Sequence, residues 1–238
     1  GVTGVEQRAV QDAAEAAGAR HPANLVAEPL AAAIGARIPV SLPQGHMIVD
    51  IGGGRTEAAV ISMYGMVVSE SVRVAGDRLD DAIAAYVKRR HNLIIGDRTA
   101  EELKIAIGSA LPVEEDLSYE VRGRDQITGL PRTVSVNASE VCQSSQDPLQ
   151  AIVGAVRSVL ERTPPELASD VIDRGIVLTG GGALLRNIDR LITQEIGISC
   201  YVADNPMDCV AIGAGIALDH LELIKRAQPP AGEWLVSF

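Results

Sequence analysis

Two runs of three glycines carry the chemistry this sequence offers. Gly52-Gly53-Gly54 and Gly180-Gly181-Gly182 each follow a short apolar run, HMIVDI and GIVLT. Without Cβ atoms such runs let the backbone approach a ligand closely and turn consecutive N–H groups toward an anion. Phosphate is the natural guest, and two runs in one chain favour a nucleotide more than either run alone. The plainer reading makes the first a hairpin turn and the second a strand-to-helix turn. Asp50 stands just before the first run. Its carboxylate can hold a magnesium ion through water beside phosphates, or it can accept N–H bonds from the turn itself. Arg55 follows the first run and brings charge without an acceptor. Glu101 and Lys104, three apart, share one helix face, where a solvated ion pair is the common outcome. Glu28, in front of Pro29, suits the first turn of a helix and its dipole.

Other nucleotide and hydrolase signatures are missing. After Gly182 the chain reads Ala-Leu-Leu-Arg, which is not G-x-G-x-x-G, and Gly-Lys never occurs, so there is no P-loop. H-R-D and G-x-S-x-G are absent too.

The elements that must hold these residues follow from period and punctuation. Thr3-x-x-Glu6 reads as a capping box for a helix ending near Gly18. Residues 25–35 read as a short strand passing through Glu28-Pro29 into an alanine-rich helix. HMIVDI, TEAAVISM and VVSESVRV form an antiparallel meander with its second turn at Tyr64-Gly65, and Gly76-Asp77 opens a helix to about Arg90, with Asp77 as a candidate N-cap. Thr99-x-x-Glu102 predicts another helix, residues 119–136 a hairpin, Asn137-x-x-Glu140 a helix start, and residues 147–161 an amphipathic helix broken by Pro164-Pro165. A buried strand at 175–179, a helix at 183–195, a strand at 198–203 and a small-residue helix at 207–223 complete the reading, the last expected to pack against the sheet. Strands alternating with helices, plus a meander, give an α/β fold with a mixed sheet.

Composition narrows the function. With 238 residues, 47% hydrophobic and 22% charged, the chain can bury a core unaided. A net charge of −10 repels a phosphate backbone, and six aromatic residues leave little to stack on bases, so nucleic acid is excluded as a partner. Cys142, Cys200 and Cys209 form no C-x-x-C and fit a reducing cytosol. No apolar stretch reaches the roughly 18 residues of a membrane span. The apolar tail Trp234, Leu235, Val236 and Phe238 reads as a disordered end.

VDIGGGxTE in a meander, RVAGD before a helix, AEELKIAIGSA, RGRD with TGLP, and DRGIVLTGGGALLRNIDRL together resemble the MreB family of bacterial actins. AEPLAAAIG and NPMDCVAIGAGIAL resemble the two segments that connect that family's halves, and the likeness runs to about residue 223. The resemblance implies an actin-like, ribonuclease H-like ATPase fold. Residues 1–45 would be the remnant of a first domain with its connecting helix, 46–203 a second domain with a smaller subdomain at about 90–150, and 204–238 a helix returning to the first domain plus a tail. The family's first phosphate hairpin and membrane-touching surface would lie outside the chain.

The resemblance also implies roles. Glu28 would orient the attacking water, and Asp50 would be linked to magnesium through water. Gly52, Gly53, Gly54 and Arg55 would line the phosphates. Glu101 and Lys104 would meet ribose and adenine, with Gly180, Gly181 and Gly182, preceded by Thr179, on the adenosine side. The cofactors would be ATP and Mg, and the partners further copies in filaments and the cell-wall elongation machinery at the inner membrane. The whole protein would be cytoplasmic and membrane-associated. Arg55 stands where the family usually has Thr, which implies weakened hydrolysis. With half a cleft, this chain is expected to bind ATP weakly, hydrolyse it negligibly and stay a monomer or weak dimer. A filament scaffold with negligible hydrolysis, and a metabolite kinase or chaperone ATPase of the same superfamily, are the alternatives.

Overall fold

The computed structural model describes residues 4–114 and 117–227. The chain begins with α1 (Gly4–Ala16), α2 (Glu28–Gly35) and a meander of β1 (His46–Ile51), β2 (Thr56–Ser62) and β3 (Gly65–Val72). There follow α3 (Gly76–His91), β4 (Leu93–Ile94), α4 (Asp97–Ile107), β5 (Ser118–Asp125), β6 (Pro131–Asn137) and α5 (Ala138–Ser144). Then come α6 (Gln146–Arg162), α7 (Pro165–Arg174), β7 (Ile176–Thr179), a 3-10 turn (Gly181–Leu184), α8 (Ile188–Ile196) and β8 (Cys200–Val202). The last described elements are α9 (Cys209–Ala217), a 3-10 turn (Leu218–His220) and α10 (Leu221–Ala227).

The larger sheet has the order β3-β2-β1-β7-β8, antiparallel across the meander and parallel from β1 through β7 to β8. Both edges of β1 are hydrogen-bonded and both its faces are covered, so all six of its residues are buried. On one face Met47, Val49, Ile51, Ala58 and Val60 meet α6, whose Leu149, Ile152, Val153, Val156 and Val159 recur at helical spacing. On the other, Ile48, Ala59 and Ile61 meet Leu30, Ala33 and Ile34 of α2, with Ala217 of α9 and Ile224 of α10 alongside. A second sheet, β4-β5-β6, has its own core with α3, α4 and α5 around Ile83, Leu93, Leu103, Val121, Val136 and Val141. The α5 capping box is present: Asn137 accepts from the Glu140 N–H, and Glu140 accepts from the Asn137 N–H, each at 3.0 Å.

Several expectations need correction. No strand forms ahead of Glu28: among the described strands none pairs with residues 25–27, and an unpaired run has no ladder to join. The second meander turn is Met63-Tyr64, both at positive φ, with Gly65 already paired to Ser62. Helix α4 starts at Asp97, so Thr99 lies inside its first turn and caps nothing. The helix foreseen at 183–195 is split, because Asn187 adopts a left-handed conformation and α8 begins only at Ile188. Helix α1 ends near Gly18 as expected, but none of its described residues is buried. Its Thr3 and the apolar tail at 234–238 lie outside the described residues.

The small-residue helix meets α2 most closely and reaches the sheet through Ala217 at its end. A Cβ on Gly213 would sit 1.7 Å from the Ala31 carbonyl oxygen, and one on Gly35 would sit 1.8 Å from that of Cys209. The two helices thus meet peptide against peptide, a distance only glycine allows.

Candidate functional site

The pairing of β1 with β7 builds the site. The two strands run parallel with Asp50 opposite Thr179, so both glycine runs leave the sheet side by side at the same end. The second run crosses the end of β1 closely: a Cβ on Gly180 would lie 2.3 Å from the Ile51 carbonyl oxygen, and one on Gly182 2.3 Å from Ile51 Cγ2. Strand ends converging in this way are where open α/β sheets place ligands.

Asp50 is 5% exposed and Thr179 is fully buried. The Thr179 hydroxyl donates to Asp50 Oδ1 at 2.7 Å. Burial pushes the Asp50 carboxyl above its ordinary pKa, and the Thr179 hydrogen bond pulls it partly back. Thr179, the residue before the second glycine run, stands behind Asp50 and orients it.

The first run is held by a tight turn and by the start of α3. Gly52 N–H donates to the Arg55 carbonyl at 2.9 Å, while Gly76 and Asp77 N–H groups donate to the Gly52 and Gly53 carbonyls at 3.1 and 2.8 Å. Asp77 makes no side-chain cap; its carboxylate sits instead against Gly53, 3.2 Å from where a Cβ there would be. Thr56 donates to the Val74 carbonyl at 2.7 Å and fixes the same corner. The N–H groups of Gly53, Gly54, Gly181 and Gly182 have no partner among the described residues, and Gly53, Gly54 and Gly181 are exposed. Four free donors on an open shelf are what an anion requires.

Glu28 opens α2 and stays accessible to solvent. Partial burial is the first cause of its raised pKa; the charges of Glu57 and then Asp50 add to it, and Arg55 opposes them. These four side chains therefore share one electrostatic neighbourhood. Glu57 is the β2 residue paired with Asp50, so both face the same side of the sheet, and it accepts from the Ser71 hydroxyl at 3.1 Å.

Lys104 reaches the first run from the second sheet's side. Its ammonium donates to the Gly76 carbonyl at 3.1 Å and to Asp80 Oδ2 at 2.8 Å. A Cβ placed on Gly76 would lie 3.3 Å from Gly52 O, 3.5 Å from Lys104 Nζ and 3.6 Å from Gly53 Cα, which locates the ammonium beside the glycines. Glu101 is exposed on α4, and Lys104 pairs with Asp80 rather than with it. Among the described residues no group of three or more His, Cys, Asp or Glu could hold a metal ion. A magnesium ion here would have to arrive with phosphates and meet Asp50 through water, a role that a buried carboxylate raised by burial fits.

Glu57 and Asp80 escaped the sequence reading. Glu57 could have been found by pairing the hairpin outward from the glycine turn, which sets it opposite Asp50. Asp80 gave no signal, because its partner lies on another helix. Two hollows lie away from the shelf: one of about 390 Å³ among α6, α7 and α8, and one of about 450 Å³ at the far end of β1 and β7. No helix among the described residues is long and apolar enough to cross a membrane.

The family described as MreB/Mbl protein matches residues 1–226. The chain is 53% identical over 223 residues to the cell shape-determining protein MreB of Escherichia coli (strain K12), covering 94% of this chain and 64% of that protein. It is 48% identical over 225 residues to the cell shape-determining protein Mbl of Bacillus subtilis (strain 168), covering 94% and 67%. It thus spans about two thirds of the length of these relatives. A crystal structure of MreB5 of Spiroplasma citri bound to ADP superposes with a TM-score of 0.90 at 37% identity, covering 96% of this chain and 69% of that one. A MamK double helical filament matches with a TM-score of 0.76 at 20% identity, a likeness of fold alone.

Proposed function

The chain belongs to the MreB/Mbl family, and from that premise we propose that it forms part of an ATP-binding bacterial actin that polymerises into filaments and organises cell-wall synthesis. The observation that carries this reading is the parallel pairing of β1 with β7, tied by the Thr179–Asp50 hydrogen bond. It brings together two glycine runs, each with N–H groups that have no partner among the described residues, as one shelf. Spiroplasma MreB5, of the same fold, was crystallised with ADP and with AMPPNP.

On this reading Gly52, Gly53 and Gly54 receive the phosphates. Asp50 would hold a magnesium ion through water, and that ion would neutralise phosphate charge. Gly180, Gly181 and Gly182 face the nucleoside with Lys104 and Glu101, and Glu28 orients the attacking water. Phosphoryl transfer asks mainly for such placement and charge stabilisation. The larger sheet with its helices is the core of one actin-like domain, and the β4-β5-β6 unit its smaller subdomain. The working place is the cytoplasmic face of the membrane, with the elongation machinery as partner.

Arg55 favours a second version of the same reading, in which the nucleotide is bound but hydrolysed slowly. Its charge opposes the negative charge around Glu28, yet a guanidinium cannot accept a hydrogen bond from water.

Calorimetric titration with ATP and magnesium tests the proposal. A Gly181→Ala methyl has room, meeting only Met207 at 4.0 Å, so the variant should fold like the wild type yet bind about tenfold more weakly. A folded wild-type chain that gives no binding at millimolar nucleotide overturns the reading.

A further inference from the structure

The Asp80–Lys104 pair lies outside every role assigned above except that of Lys104 itself. Both side chains are largely buried, 13% and 15% exposed, and the ion pair is 2.8 Å long. It joins α3 to α4, two helices that also share an apolar core around Ile83, Val87, Ala100 and Leu103. Asp80 Oδ1 is buried and has no hydrogen-bond partner among the described residues. A buried carboxylate with one idle oxygen is a poor stabiliser, because the attraction to a single ammonium must offset the loss of water from both charges. Burial accordingly raises the Asp80 carboxyl, Lys104 lowers it, and Glu101 and Asp77 raise it further. Packing alone would be served as well by an apolar pair.

The ammonium explains the arrangement. Lys104 has three N–H donors and no acceptor. One donor is spent on Asp80 and one on the Gly76 carbonyl, whose own N–H is bound to Gly52 O. The third donor has no partner among the described residues. Two fixed bonds on a tetrahedral ammonium set the direction of the third, so a long flexible side chain becomes a directed donor beside the glycine shelf.

We propose that Asp80 is a positioning residue for nucleotide binding: it clamps the Lys104 ammonium against the Gly76 carbonyl so that the remaining N–H is presented to an acceptor on the bound nucleotide. The inference rests on the nucleotide reading above. It differs from a structural role in that its effect must pass through Lys104.

The experiment measures Mg-ATP binding to the 238-residue chain for the wild type, Asp80→Asn, Lys104→Gln and the double variant. Asp80→Asn should weaken binding about tenfold, Lys104→Gln by at least as much, and the double variant no more than Lys104→Gln alone, since the two act as a unit. Losses that multiply in the double variant, or an Asp80→Asn chain that binds like the wild type, overturn the proposal while leaving the nucleotide reading intact. A wild-type chain that binds no nucleotide removes both. Should Asp80→Asn fail to fold because it strands an ammonium, Asp80→Glu carries the test. Its longer arm shifts the ammonium and should weaken binding severalfold with an unchanged melting temperature, and unchanged binding refutes the clamp.

Discussion

Thr179 donates its hydroxyl to Asp50 across 2.7 Å, although 129 positions separate them. The bond joins the last residue of β7 to the penultimate residue of β1, and it is the side-chain link between the two glycine runs. A Thr179→Val substitution keeps the shape and removes the donor. Stability should fall by about 1–2 kcal/mol, as for a buried acceptor left unmet, and Mg-ATP binding should weaken with it. Chemical denaturation beside calorimetry reads both, and a variant that loses neither would make the bond incidental.

Asp50 also makes stability depend on pH. Its carboxyl lies above the ordinary value in the folded protein, with burial outweighing the Thr179 bond. The folded state therefore holds the proton more tightly than the unfolded chain, and ionised Asp50 destabilises the fold. That penalty is absent below the unfolded pKa, grows as pH rises through the window up to the folded pKa, and is complete above it. Asp50→Asn should thus be more stable than the wild type at neutral pH, with the advantage fading as pH falls through the carboxylate range, while magnesium-dependent nucleotide binding is lost. Urea melts at neutral and at acid pH decide it; equal stability at neutral pH would contradict the sign.

Helix α9 holds an internal comparison. Gly213→Ala forces a methyl to within 1.7 Å of the Ala31 carbonyl, whereas a methyl at Gly215 meets nothing within 4 Å. The first should cost about 3 kcal/mol or more through overpacking. The second should gain about 0.5–1 kcal/mol, as for glycine replaced in an open helix interior. Melting temperatures moving in opposite directions are the expected result.

Arg55 offers a test of turnover rather than of folding. In the full-length protein Arg55→Thr should raise the rate of ATP hydrolysis and leave nucleotide affinity within a few-fold, because a hydroxyl can share a hydrogen bond with water and a guanidinium cannot accept one. Phosphate release in single turnover measures it, and no gain over the wild type counts against Arg55 as the brake.

The meander, the hairpin and the Asn137 cap were legible because period and local capping chemistry act over a few residues. The same holds for the glycine runs, whose apolar flanks mark strand ends. What was not legible depends on distant neighbours. Residues 25–27 have the composition of a strand and no ladder to join, and Thr99 has a capping pattern but sits two residues inside a helix that starts earlier. The small residues of α9 announced close packing without naming α2 as the partner. In the site, Asp50 stood out by its place before the glycines and Glu28 only through the family resemblance, while Thr179 as an orienting group, Glu57 and Asp80 emerged only once strands and helices were side by side.

Helices α2 and α9 touch peptide against peptide at Gly35 and Gly213, where no side chain lies between them. The segment ahead of α9 rests on the second glycine run, with Pro206 accepting from Gly180 N–H at 2.9 Å, and α2 begins with Glu28 in the electrostatic neighbourhood of Asp50 and Arg55. The α2–α9 pair thus spans from the second glycine run to Glu28, so both halves of the shelf are built on one pair of helices as well as on the Thr179–Asp50 bond.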